Sequence, residues 1–195
     1  MKLEGFGLED THAVANSLRW GPDGWLYGGQ GSTTTADISS SVSKHVAFQG
    51  QVIWRYHPET EVFEVFAEGG GNTFNVEFDS KGRLYSGNNA YDRGPNFKQG
   101  GFYPRSLGKH GPYTNPYTFG NLPNMQLEGE KARFTHSLIR YEGGKLPSAY
   151  HGKMIALNPL LNYVQLTRFE PDGSSLKNTD EAKIVETDDR WFRPV

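Results

Sequence analysis

Two stretches of this chain repeat one another. Leu18 to Tyr27 reads LRWGPDGWLY and Val76 to Tyr85 reads VEFDSKGRLY, so an aromatic residue, three residues, a glycine, one residue and Leu-Tyr occur in both. Gly24 and Gly82 lie 58 positions apart, and an asparagine stands just upstream of each stretch (Asn16 and Asn75). Apolar residues alternate with polar ones on both sides of each glycine, the pattern of a strand, a tight turn and a second strand. A lone hairpin cannot bury its apolar face, so hairpins repeated at this period must stack on one another.

Between the two copies lies a second hairpin, Gln51 to Tyr56, a turn at His57-Pro58-Glu59-Thr60, then Val62 to Phe66. A third unit follows in HSLIRYEGG (His136 to Gly144) and GKMIALNPLLNYVQLTRFEPDG (Gly152 to Gly173). Two hairpins per period make a four-stranded sheet, and such sheets recurring in sequence are the signature of a β-propeller. The alternative is a chance likeness of two hairpins, since hairpins of this kind are common. At roughly 45 to 58 residues per blade, the chain suffices for about three to four blades. The expectation is therefore an all-β, partial (truncated) β-propeller, residues 1–195 forming one domain that is a piece of a larger ring.

No helix is expected. Asn178 to Asp189 reads as an outer strand at Lys183 to Glu186 in preference to a turn or two of helix. Asn88 to Lys131 is rich in Gly, Pro, Asn and aromatics and lacks a clean period, so it reads as a long loop of the kind that is usually functional. The 24 Gly and 11 Pro beside 12 Phe, 10 Tyr and 4 Trp fit strands joined by long turns rather than disorder.

Charge and composition remove several classes of function. A net charge of −2 offers no basic field for nucleic acid. No apolar run approaches the roughly 20 residues needed to cross a bilayer, so direct membrane insertion by this segment is not expected. MKLEGFGLED has no apolar core and is not a signal peptide. With no cysteine, the chain holds no disulfide, thiolate metal site or Cys-x-x-Cys-His haem attachment. The glycines of GGQGSTTT lack a phosphate-loop spacing, and Gly28, Gly29 and Gly31 read as turn glycines after a strand. Neither a metal-ligand spacing nor a Gly-x-Ser-x-Gly elbow occurs.

The strings EDTHAVANSLRWGPDGWLYGGQGST, IWRYHPET, FAEGGGNTFNVEFDSKGRLYSGNN, GKHGPYTNPY, RFTHSLIRYEG and TDDRWFRPV resemble a family of large bacterial proteins described as membrane-bound dehydrogenases. That resemblance implies a propeller joined to α-helical repeats and a C-terminal cytochrome-c-like haem segment, with a periplasmic or cell-envelope location. The propeller in turn resembles the quinoprotein glucose/sorbosone dehydrogenases, six-bladed rings that bind pyrroloquinoline quinone with calcium at the blade axis. By that resemblance the substrate is a sugar or alcohol, and the partners are the remaining blades and a cytochrome-like domain. Haem would belong only to the part outside this chain.

Carried onto this sequence, the resemblance makes His12 the base that takes the substrate's hydroxyl proton, although His12 stands one residue further upstream of Leu18 than the pattern has it. An Arg-Asn-Pro cofactor motif corresponds to Gly71-Asn72-Thr73, which keeps Asn72 and lacks the arginine. An Arg-x-Arg-x-Val motif corresponds to Trp191 to Val195, with only Arg193 present. His136 lies near a basic position of the family.

The residues themselves leave alternatives open. An imidazole at His12 serves as a general base, or simply bonds a loop carbonyl. His110, beside Lys109, contacts substrate or scaffolds the long loop. Asn72 binds a ligand or caps a turn. Arg193 grips an anion, or pairs with Asp188 or Asp189. His12, Asn72, His136 and Arg193 recur at nearly the 58-residue period and are expected to converge at the blade axis. A propeller that binds a glycan or a protein without chemistry uses the same fold.

Overall fold

The computed structural model describes residues 2–87, 91–105, 111–132 and 137–194. The first part of the chain forms β1 (Glu4–Phe6), β2 (Asn16–Trp20), β3 (Leu26–Gln30), β4 (Thr35–Ser39), β5 (Val46–Gln49), β6 (Val52–Tyr56) and β7 (Phe63–Gly70). Short strands follow: β8 (Glu77–Phe78), β9 (Leu84–Tyr85), β10 (Asn96–Phe97), β11 (Gly101–Arg105), β12 (Gly120–Asn121) and β13 (Gln126–Glu128). The last part holds β14 (Leu138–Tyr141), β15 (Lys153–Asn158), β16 (Tyr163–Asp172) and β17 (Ser175–Glu186). A 3-10 turn at Ser148–Tyr150 is the only helical element among the described residues.

The described residues are all-β, in several sheets, none of them closed. β2, β3, β6 and β7 form an antiparallel meander, to whose outer edge β11 and β12 add in parallel. β8, β9 and β10 form a second antiparallel sheet. β14 to β17 form another meander, with β13 parallel to β17. β1, β4 and β5 make a small sheet of their own, which sequence reading missed.

The repeated stretches occupy equivalent hairpins in separate sheets. Arg19 pairs with Tyr27 and Trp20 with Leu26, as Glu77 pairs with Tyr85 and Phe78 with Leu84. Both turns close alike: Gly21 N–H donates to Trp25 O (2.8 Å) and Asp79 N–H to Arg83 O (3.1 Å). Gly24 and Gly82 take φ of 82° and 71°, a region that costs a side chain strain and glycine none.

The cores lie between sheets. Tyr27, Ile53 and Phe66 pack with Val76, Leu84, Phe97 and Tyr103. Tyr85 and Met125 pack with Leu138, Met154, Tyr163 and Leu176 of the β14–β17 sheet. Each such side chain contributes roughly 1.5–3 kcal/mol when fully buried, and here each buries against a neighbouring sheet.

β2, the edge of its sheet, leaves Leu18 65% and Trp20 61% exposed. Two expectations need correction. The region from Asn88 to Lys131 is not one loop. It contributes β10 to β13, too short to show a period. Gly28 and Gly29 lie inside β3, and Gly28 gives the Trp54 indole its place on the sheet. The expected outer strand is present, since β17 runs through Lys183 to Glu186.

Candidate functional site at the ends of β2, β8 and β14

The first strands of the three units, β2, β8 and β14, run side by side and parallel, joined across sheets by side-chain bonds. Asn16 Nδ2 donates to Thr73 O (3.0 Å) and Ser17 Oγ to Phe74 O (2.6 Å). One unit later, Asn75 Nδ2 donates to Leu138 O (2.7 Å). Further along, Arg19 meets Glu77 (3.0 Å) and Arg140 meets Asp79 (3.3 Å). The starts of all three strands therefore lie at one end, together with the end of β3 and of β15.

At that end the segment before β2 is folded around Asp10. Its Oδ2 accepts from Thr33 Oγ1 (2.6 Å) and its carbonyl from Ala13 N–H (2.9 Å). His12 donates its backbone N–H to Asp10 Oδ1 (3.2 Å). Its Nδ1 lies 3.7 Å from the same carboxylate and the side chain is 91% exposed. An imidazole in this position is open to a ligand and has a carboxylate beside it.

Asn72 lies next to this segment. Its Oδ1 accepts from Ser32 N–H (3.2 Å), and its backbone lies at φ 40°; with its amide turned to satisfy both atoms, the buried Gln51 accepts from Asn72 N–H (2.7 Å) and donates to Gly70 O. Gly31 lies between Asn72 and Ala13, the residue after His12, and its N–H donates to Ala13 O (2.9 Å). A side-chain carbon on Gly31 would overlap Asn72 Oδ1 and come within 3.0 Å of Ala13 Cβ. The glycine run thus serves close packing of the loops that carry His12 and Asn72.

Arg193 lies at the same end of the third sheet. Its Nη1 donates to Asn162 Oδ1 (2.7 Å), in the turn between β15 and β16, and to Phe192 O (3.2 Å). The expected partners Asp188 and Asp189 do not appear in these bonds. Asp189 instead accepts from Trp191 N–H (2.9 Å). His110 and His136 lie outside the described residues. The structure thus brings His12 and Asn72 to neighbouring loops and puts Arg193 on the turn of another sheet.

Below the ends, the electrostatics are those of a fixed scaffold. Asp79, fully buried, accepts from Arg83 Nε (2.6 Å), Tyr85 Oη (3.0 Å) and Arg140 Nη1 (3.3 Å). Burial pushes its carboxyl up, but the bonds from the Arg83 backbone and guanidinium and from Tyr85 outweigh it and hold the pKa below 3.8. Glu77 is the opposite case: burial raises its carboxyl although Arg19 pulls it down. Asp10, Thr33, Ser32 and Gln51 escaped sequence reading, because each lies in a loop and bonds across more than a dozen residues. Among the described residues no group of three metal-ligating side chains occurs.

The sequence profile of a domain of unknown function, DUF7133, matches residues 1–195. The chain belongs to the DUF7133 family. No curated protein and no solved structure is a significant match. In this DUF7133 chain, no helix among the described residues is long and apolar enough to cross a membrane.

Proposed function

We propose that this DUF7133 chain is a sector of a β-propeller that takes a sugar or alcohol at the shared end of its inner strands, within a dehydrogenase-type protein of the cell envelope. The observation that carries the reading is the parallel alignment of β2, β8 and β14, from separate sheets, with the His12 and Asn72 loops at one end. In such a sector β2, β8 and β14 are the strands nearest the axis, and loops remote in sequence meet over it. His12 accepts the proton of a ligand hydroxyl, and Asp10 orients and stabilises the resulting imidazolium.

Among the described residues, those that the resemblance assigns to pyrroloquinoline quinone do not make a cradle for it. The anionic quinone needs cations around it. Gly71 stands where an arginine would be, the Asn72 amide oxygen accepts from Ser32 N–H, and Arg193 bonds Asn162 on the turn of another sheet. Any electron acceptor is therefore supplied by groups other than these. The same misfit favours a second reading, a propeller that holds a glycan or protein without chemistry.

The test is dye-linked oxidation of aldoses and alcohols by the full-length natural protein, with and without added quinone and calcium, and again after His12→Ala. Loss of the base is expected to lower kcat by roughly 10²–10⁴-fold with substrate binding retained. No turnover, or turnover unaltered in His12→Ala, would leave the binding reading in its place.

A further inference from the structure

Away from the inner strands, a cleft of about 980 Å³ opens between the β4–β5 hairpin and the segment that follows β11. Its floor is the start of β7, with Val62, Phe63 and Val65. One wall is Ser43 to Ala47, and the other is Gln99, Gly100 and Thr114 to Tyr117. A volume of this size suits a small-molecule ligand.

The second wall is built with unusual care. Glu68, 1% exposed, accepts from the backbone N–H groups of Thr114 (3.0 Å) and Asn115 and from Thr114 Oγ1 (3.3 Å). Arg105 pairs with the same carboxylate (3.4 Å), donates to Gly111 O and Pro112 O, and lies 4.1 Å over the Tyr113 ring. Asn115 Nδ2 then donates to Val65 O (3.1 Å) and its Oδ1 accepts from Tyr117 N–H (2.9 Å). A buried ion pair, two peptide N–H groups and an Asx turn therefore fix one short segment. What it holds out is Tyr117, 86% exposed at the cleft edge. A large aromatic side chain left in water on a braced backbone gains nothing for the fold and is ready to stack on a ligand.

The polar groups around the cleft narrow the ligand. Glu64 shares Arg55 (2.6 Å) with Asp23 and also accepts from Gln99 Nε2 (3.4 Å). His45 meets Asp37 (3.1 Å), and Lys44 donates to Ser40 O. Among the described lining residues Glu64 and His45 meet opposite charges and Lys44 bonds a carbonyl, so a single uncompensated cation faces a phosphate or a carboxylate. An aromatic edge, an apolar floor, and amide, hydroxyl and paired ionic groups on the rim suit a polyhydroxylated ring with alternating C–H and O–H faces.

We propose that this cleft is a binding site for a neutral saccharide, with Tyr117 as the stacking platform and Gln99, Glu64 and Thr114 as hydrogen-bonding partners. The site is separate from the inner-strand end, so it stands or falls independently of the dehydrogenase-type reading.

The experiment presents the full chain to an array of neutral and acidic glycans and follows hits by calorimetry. A neutral glycan is expected to bind, Tyr117→Phe to keep the affinity, and Tyr117→Ala to weaken it by roughly tenfold or more. His12→Ala is expected to leave it unchanged. Tyr117 is exposed, so its variants test binding without endangering the fold. Absence of any glycan binding, selective binding of acidic glycans, or binding indifferent to Tyr117→Ala would overturn the proposal. So would Tyr117-dependent capture of peptides, adding to the free edge of β5, in place of glycans.

Discussion

Asn16 donates its side-chain amide to the carbonyl of Thr73 at 3.0 Å, a bond that leaves one sheet and ends on the segment leading into the next. The same group also caps Val14 O (2.9 Å), so one side chain fixes both the entry to β2 and its neighbour. Asn75 repeats the device toward Leu138. Each bond is worth roughly 0.5–1.5 kcal/mol net. Asn16→Ala and Asn75→Ala are each expected to lower stability by about 1–2 kcal/mol in urea unfolding. A change near zero in both would mean that these bonds do not hold the sheets together.

Asp79 makes the chain sensitive to acid. Its folded pKa lies below the unfolded 3.8, so its contribution is present above pH 3.8 and is lost as pH falls through the folded value. The urea midpoint should therefore drop steeply below about pH 4. Asp79→Asn should remove that part of the drop. At neutral pH it should cost roughly 3–5 kcal/mol, since Arg83 and Arg140 lose their carboxylate.

At high pH the buried tyrosines reverse the sign. Burial pushes Tyr27 up to about 12, and pushes Tyr85 higher still. A raised folded pKa gives stability that is whole below the unfolded value of 10.0 and lost as pH rises toward the folded one. Tyrosinate absorbance should develop in two stages, with the late stage coinciding with loss of the β-sheet circular dichroism signal. A single early stage would show Tyr27 and Tyr85 to be solvated.

Trp20 and Phe78 occupy equivalent places in their hairpins, yet only Phe78 has a neighbouring sheet. Phe78 packs on Tyr27 at 4.9 Å between ring centroids, whereas Trp20 is 61% exposed beside the exposed Leu18. An apolar edge of this kind favours association. Light scattering of the chain should show concentration-dependent oligomers that Trp20→Lys reduces. Equal behaviour of the two proteins would place the association elsewhere.

Gly31→Ala tests the inner-strand end without touching His12 or Asn72. The added methyl meets Asn72 and Ala13, and overpacking of this kind costs roughly 1–3 kcal/mol. Chemical shifts of His12 and Asn72 should move together in the variant. Movement of one alone would separate their loops.

The fold was legible wherever a local rule governed it. The glycine turns at Gly24 and Gly82, the Leu-Tyr strands after them and the outer strand through Lys183 all follow from period and turn chemistry. The small sheet of β1, β4 and β5 was not, because TADIS and VAFQ are short and part polar. The site was legible only in its named residues. That Ala13, next to His12 in the chain, and Asn72 share Gly31 as a neighbour depends on contacts between loops some 60 positions apart, which no local pattern encodes. The loop anchor on Glu68 is hidden for the same reason, since a buried glutamate looks like any other in sequence.

In the proposed propeller β2, β8 and β14 are equivalent inner strands of successive sheets about one axis. The decisive measurement is a crystal structure of the chain, with the β2–β3 hairpin superposed on β8–β9 through Gly24 and Gly82. The expected result is a rotation about an axis near these strands that, applied again, carries β8 onto β14, with Asn16 and Asn75 making the same bond to the next unit. Hairpins related by translation alone, or joined by backbone hydrogen bonds in one sheet, would contradict it.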